Sequence, residues 1–123
     1  MKVTCGTDII EVKRIEKSIK RLGEKFLNKI FTPAEISYCN SKGKMKYQHF
    51  AARFAGKEAI FKAISELLEN KYEITWTDVE IIPGENKKPK VYFLKDKYPI
   101  SQIDISLSHL KDYAIATCII VSE

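Results

Sequence analysis

The chain is poor in the residues that build soft-metal and redox centres. Its three cysteines are far apart with no C-x-x-C spacing, and it has only two histidines, His49 and His109. That scarcity argues against a disulfide framework, a structural zinc site or metal chemistry on nitrogen ligands. Cys5 and Cys118 stand in apolar, strand-like runs, where a thiol is expected to pack as a small hydrophobe. No stretch approaches the roughly 20 apolar residues of a membrane span, and no apolar signal region follows Met1. A cytoplasmic protein that stays out of the membrane is expected. Repeats, low-complexity tracts and Pro/Gly/Ser-rich linkers are also missing, so 123 residues predict one domain over 1–123.

What the chain does have is positive charge, 21 basic against 16 acidic residues. A net charge of +5 predicts attraction to an anion: nucleic acid, a phosphorylated cofactor, a membrane surface or an acidic protein.

The pattern along the chain is α+β. A short strand is expected over Lys2 to Ile9, then a helix with Ile15, Ile19, Leu22 and Phe26 on one face. Thr32-Pro33-Ala34-Glu35 reads as a helix start, with Thr32 as N-cap, Pro33 in the first turn and Glu35 closing a capping box. The longest helix is expected from about Tyr47 to Glu69, burying Phe50, Phe54, Phe61, Ile64 and Leu68. Period-two segments follow through Val121, with a slip between Trp76 and Val79 that suggests a bulge. The expected architecture is an antiparallel sheet packed against one long helix.

Charges on that helix are the first functional signal. In helical projection Lys57 points into the apolar stripe, while Arg53 falls between Ile60 and Ile64. Glu58 lies on the shoulder of the stripe, one turn before Lys62. Such charges are costly unless paired, coordinated or facing a ligand. A plain Glu58–Lys62 ion pair with snorkelling neighbours is the competing explanation. Asp8 offers the same choice between a helix cap, with Glu11 three residues on, and a hard oxygen ligand. Were Asp8 to meet Glu58, the pair would form the carboxylate site that magnesium prefers. His109 sits at the mouth of a strand, where a turn histidine and a functional one are both expected; His49 reads as structural. Lys13, Arg14, Lys17, Lys20 and Arg21 share one face of the first helix. With no aromatics interleaved, that ridge favours an acidic protein over single-stranded nucleic acid.

Taken in order, several segments resemble the short bacterial holo-acyl-carrier-protein synthases of the phosphopantetheinyl transferase superfamily. They are Gly6-Thr7-Asp8-Ile9-Ile10-Glu11, Phe31 to Cys39, Arg53-Phe54-Ala55-Gly56-Lys57-Glu58-Ala59-Ile60-Phe61-Lys62-Ala63, Trp76 to Ile81, and Ile105-Ser106-Leu107-Ser108-His109 with Tyr113 to Ala116. The resemblance implies that fold and the transfer of 4'-phosphopantetheine from coenzyme A to a serine of apo-acyl carrier protein in fatty acid biosynthesis. It implies Asp8 and Glu58 as ligands of Mg2+, and Arg53, Lys57, Lys62 and His109 as phosphate contacts. Catalysis would rest on Glu58 and Lys62, with Glu58 as base directly or through a metal-bound water. It further implies a homotrimer with sites between subunits, and docking of the carrier on the basic first helix. Nucleic-acid binding by a non-catalytic basic module is the alternative, and would give Asp8, Glu58 and Lys62 no role. Three departures stand out: Gly56 where alanine is usual, no glycine turn after the long helix, and Leu110-Lys111 after His109. A close cofactor approach is the expected reason for Gly56.

Overall fold

The computed structural model describes residues 1–70, 73–95 and 98–123. The elements run β1 (Val3–Glu11), α1 (Val12–Leu22), α2 (Glu24–Ile30), α3 (Pro33–Asn40), α4 (Lys46–Ile64), β2 (Val79–Pro83), β3 (Pro89–Phe93), β4 (Ile100–His109) and β5 (Tyr113–Ser122). Strands β1, β5 and β4 form an antiparallel sheet in that order, while β2 and β3 form a separate hairpin. One face of the sheet, with Ile10, Ile105, Ala114, Ala116, Cys118 and Ile120, is buried against α4. The α+β architecture, an antiparallel sheet against one long helix, is as expected.

Several local expectations need correction. The opening strand does not stop at Ile9; pairing with β5 carries it to Glu11 opposite Tyr113, so Asp8 is a mid-strand residue opposite Ala116. The first helical stripe does not continue unbroken to Phe26. Gly23 takes φ 62° and its N–H caps Ile19, splitting α1 from α2 and leaving Leu22 exposed. Glycine enters that backbone region without a Cβ clash. The long helix ends at Ile64, with only a 3-10 turn over Ser65–Leu67, and does not reach Glu69. Of its expected stripe Phe50 and Ile64 are fully enclosed, together with the row Ala52, Ala55, Ala59, Ile60 and Ala63. Small residues let helix and sheet approach closely, whereas Phe54 and Phe61 lie half-buried around Trp76 with ring centres 5.0 Å away in both cases.

The slip before β2 is not a bulge but a 3-10 turn, Trp76–Asp78, closed by a Thr75–Asp78 capping box. An irregularity of register does occur, between Ile100 and Gln102. Cys39 and Cys118 are buried, but Cys5 is exposed on the outer sheet face. The capping box at Thr32–Glu35 is formed as expected: Glu35 N donates to Thr32 Oγ1 at 3.3 Å and Thr32 N to Glu35 Oε1 at 2.8 Å.

Candidate functional site

A glycine in β1 brings the key carboxylate to the helix. A Cβ at Gly6 would lie 2.1 Å from the Ala59 carbonyl oxygen and 2.9 Å from Ala63 N, so only glycine lets the strand lie this close to α4. Thr4 Oγ1, two residues earlier on the same face, donates to Ala63 O at 2.6 Å. Two residues later on that face, Asp8 meets α4. It is not a helix cap, since Glu11 occupies the N-cap of α1 and no side chain caps there. The Lys62 ammonium lies 3.2 Å from Asp8 Oδ1 and donates to Thr7 O at 2.9 Å.

Glu58 stands one helical turn before Lys62 and is half-buried. Burial raises its pKa above the ordinary carboxylate range and the negative charge of Asp8 raises it further, while Lys62 works the other way. The two carboxylates therefore sense each other across the strand–helix contact. Like charges held together in a partly desolvated place call for a cation. No group of three or more His, Cys, Asp and Glu that could hold a metal occurs among the described residues. Two carboxylates suit magnesium, which is held by one or two of them and completes its octahedron with water and substrate phosphate.

The other expected phosphate contacts lie elsewhere. For Lys57 the expectation is corrected: its ammonium is fully enclosed. It donates to Glu35 Oε1 at 2.7 Å, Ile30 O at 2.8 Å and Trp76 O at 2.8 Å, using all three of its N–H bonds. Burial lowers its pKa, against the pull of Glu35. Glu35, equally buried, also accepts from Ile81 N at 2.7 Å, so this pair joins α3, α4 and β2. Arg53, 3% exposed, likewise acts within the chain as a brace. Its Nε donates to Ile81 O at 3.2 Å and its guanidinium lies 4.5 Å from the centre of the Tyr38 ring.

His109 closes β4, opposite Ala114, and is half-buried. With β5 between β4 and β1, it stands about 10 Å from the Asp8 strand. One chain thus joins Asp8, Glu58 and Lys62 but leaves His109 apart from them. His49 is packed edge-on between Tyr38 and His109, at 5.7 and 5.1 Å between ring centres. Burial, with help from the charges of Arg53 and His109, pushes its pKa down to about 4.

On α1 the five basic residues are all exposed. Arg14, Lys17, Lys20 and Arg21, with Ser18, line an open depression of about 580 Å³. Lys20 is tied to Glu16 at 2.8 Å. Gly56 faces the Ile81, Leu107 and Ile105 side chains rather than open space, so packing and not cofactor approach explains it. Sequence reasoning gave no site role to Gly6 or Glu35. A glycine two residues before a strand carboxylate is the available signal for the first; for Glu35 the local pattern signals only a cap.

The match to known proteins extends over almost the whole chain. The model of the ACPS family, the 4'-phosphopantetheinyl transferase superfamily, matches residues 4–118. A holo-[acyl-carrier-protein] synthase of Koribacter versatilis is 40% identical over 121 residues, covering 94% of each chain. One from Dehalococcoides mccartyi strain CBDB1 is 44% identical over 117 residues, covering 90% of this chain and 92% of its own. Among solved structures, the Bacillus anthracis synthase in complex with CoA (3',5'-ADP) superposes with a TM-score of 0.80 at 30% identity, covering 98% of this chain and 96% of that one. The Helicobacter pylori synthase in complex with coenzyme A gives 0.78 at 32% identity, covering 95% and 99%. The chain belongs to the 4'-phosphopantetheinyl transferase superfamily.

Proposed function

We infer that this chain is a holo-[acyl-carrier-protein] synthase. It transfers the 4'-phosphopantetheine group from coenzyme A to a serine of apo-acyl carrier protein and releases adenosine 3',5'-bisphosphate. The observation that carries the chemical reading is the meeting of Asp8, Glu58 and Lys62 where β1 crosses α4. In the transfer a bond forms between the serine oxygen and the phosphorus bearing pantetheine. The bond from that phosphorus to the bridging oxygen breaks, and the serine proton passes to a base. Glu58 is the base, directly or through a water on the metal. Lys62 neutralises phosphate oxygens, and Asp8 with Glu58 holds Mg2+. A magnesium ion bound there supplies positive charge against the charge that develops on the diphosphate.

The partner is an acidic carrier protein, docked on Lys13, Arg14, Lys17, Lys20 and Arg21. All five are exposed on one helix, with a concave surface between four of them. The active assembly is a homotrimer of one-domain chains, 1–123. Two features support it: His109 stands away from the carboxylate pair within one chain, and the outer sheet face exposes Val3, Ile9, Tyr113, Ile115 and Ile119. An apolar patch of that kind marks an interface. A neighbouring subunit then supplies the phosphate contacts that a single chain keeps apart. The described residues include no helix long and apolar enough to cross a membrane. The reaction belongs to the cytoplasm and serves fatty acid biosynthesis.

Mass spectrometry of apo-acyl carrier protein incubated with the chain, coenzyme A and Mg2+ tests the activity: the carrier gains one phosphopantetheine. Asp8→Ala and Glu58→Ala should each abolish that gain while retaining the wild-type circular dichroism spectrum. Full transfer by both variants would overturn the metal assignment, and salt-sensitive DNA binding without transfer would favour the basic-module alternative.

A further inference from the structure

Lys62 sits on the carboxylate that would hold a metal. The ammonium lies 3.2 Å from Asp8 Oδ1 and 2.9 Å from Thr7 O, both of them hard oxygens of the type magnesium takes. The Lys62 side chain is 53% exposed and that of Asp8 only 18%. A lysine arriving from the solvent side thus covers a more sheltered carboxylate. We propose that Lys62 is an exchangeable counter-ion: it neutralises Asp8 in the metal-free protein, is displaced by the divalent cation, and is thereby released to bind the diphosphate of coenzyme A. This rests on the metal reading given above and adds a linkage that the reading does not contain.

Charge and geometry both require the exchange. Asp8, Glu58 and Lys62 together leave one negative charge, which repels a diphosphate. A divalent cation makes the set positive and attracts one. The cation also repels an ammonium held on the same oxygen, and that repulsion acts at short range in a partly desolvated place. Lysine suits the role because it is a compact charge on a flexible four-carbon stem, able to swing without moving its helix. Lys62 lies one turn beyond Glu58 on α4, so the released ammonium would stay within reach of an anion bound at the two carboxylates. Metal and coenzyme A then help each other bind, and by linkage the help is equal in both directions.

Mn2+ replaces Mg2+ as the probe, with the free ion counted by electron paramagnetic resonance during titration of the full-length, coenzyme-A-free protein. Wild type should bind Mn2+ and Asp8→Ala should not. Lys62→Met and Lys62→Gln, both at a half-exposed position, should bind Mn2+ about 2- to 10-fold more tightly than wild type, because an ion pair that competes with the metal is gone. Calorimetric titration of coenzyme A without carrier protein gives the second arm: Mn2+ should improve wild-type affinity by a larger factor than in either Lys62 variant. If wild type binds no Mn2+, the metal reading fails and the exchange with it. If wild type binds Mn2+ through Asp8 but both Lys62 variants bind it no more tightly, the exchange alone is overturned. An equal metal-dependent gain in coenzyme A affinity in wild type and variants overturns it likewise.

Discussion

Replacement of Gly6 by alanine tests how the site is assembled without touching any polar group in it. The added Cβ would sit 2.1 Å from the backbone oxygen of Ala59, with Ala63 N and Lys62 Cβ both at 2.9 Å. A carbonyl in the middle of α4 has no side-chain freedom with which to yield, so β1 must move away from the helix by about 1 Å. Overpacking of this kind costs about 1–3 kcal/mol. Loss of the Thr4–Ala63 hydrogen bond, 2.6 Å long and buried, adds about 1 kcal/mol. At this chain length the sum lowers the melting temperature by roughly 8–15 °C. The effect on catalysis is separate. The same shift carries Asp8 away from Glu58 and Lys62, and misplacement by about 1 Å costs on the order of 10²-fold in rate.

Gly56→Ala is the matched control, a second helix-contact glycine replaced by the same residue. Its Cβ would meet only the ends of side chains: Ile81 Cδ1 at 2.7 Å, Leu107 Cδ2 at 3.1 Å and Ile105 Cδ1 at 3.2 Å. These can rotate, and alanine recovers about 1 kcal/mol of helix propensity. Stability should therefore change by less than about 1 kcal/mol. Thermal denaturation followed by circular dichroism and the carrier mass-shift assay, run on both variants, read the two effects. A Gly6→Ala protein that melts within two degrees or so of wild type with undiminished transfer would show that the strand–helix approach does not build the site.

Three further outcomes follow from the same geometry. Lys57→Met leaves the Glu35 carboxylate buried without its cation and should cost about 3–5 kcal/mol in urea denaturation, whereas adding Glu35→Gln, which removes the charge and keeps an acceptor for Thr32 N or Ile81 N, should restore part of it. His49, with a folded-state pKa of about 4 against 6.5 in the unfolded chain, contributes stability that is complete above pH 6.5 and fades as pH falls toward 4. His49→Gln should flatten the dependence of stability on pH in that window, and an unchanged slope would remove His49 as its source. Reversing charge at Arg14, Lys17 and Arg21 together should raise KM for an acidic carrier protein at least tenfold at low salt. KM for coenzyme A should stay constant; equal loss for both substrates would place the ridge outside the docking surface.

The fold was legible where pattern and structure share a period. Alternation located β4 and β5, and the Thr32–Glu35 motif located α3, because a capping box is a local contact between neighbours in sequence. Boundaries failed where tertiary contact decides. Nothing local ends β1 at Glu11 rather than Ile9; the partner strand does, by offering Tyr113 opposite Glu11. Apolar spacing ran through Gly23 because Phe26 continues the stripe, yet a single positive-φ residue turned the chain.

Helical projection has a more general limit, and adjacent residues on α4 expose it. Lys57 and Glu58 differ by about 100° around the axis, and both are charges placed near apolar neighbours. Projection treats them alike, as costly groups that require a partner. It does not say whether the partner is protein or ligand. Lys57 found its partners at Ile30, Glu35 and Trp76, residues from three other parts of the chain, and became a bolt in the interior. Glu58 faces Asp8, a charge of its own sign, and Lys62 relieves that repulsion only in part, since the three groups together keep one net negative charge. A buried charge whose nearest strong neighbour is opposite in sign is satisfied by folding. One whose neighbour has the same sign keeps an affinity for further positive charge, and that difference, visible only once β1 crosses α4, separates Lys57 from Glu58.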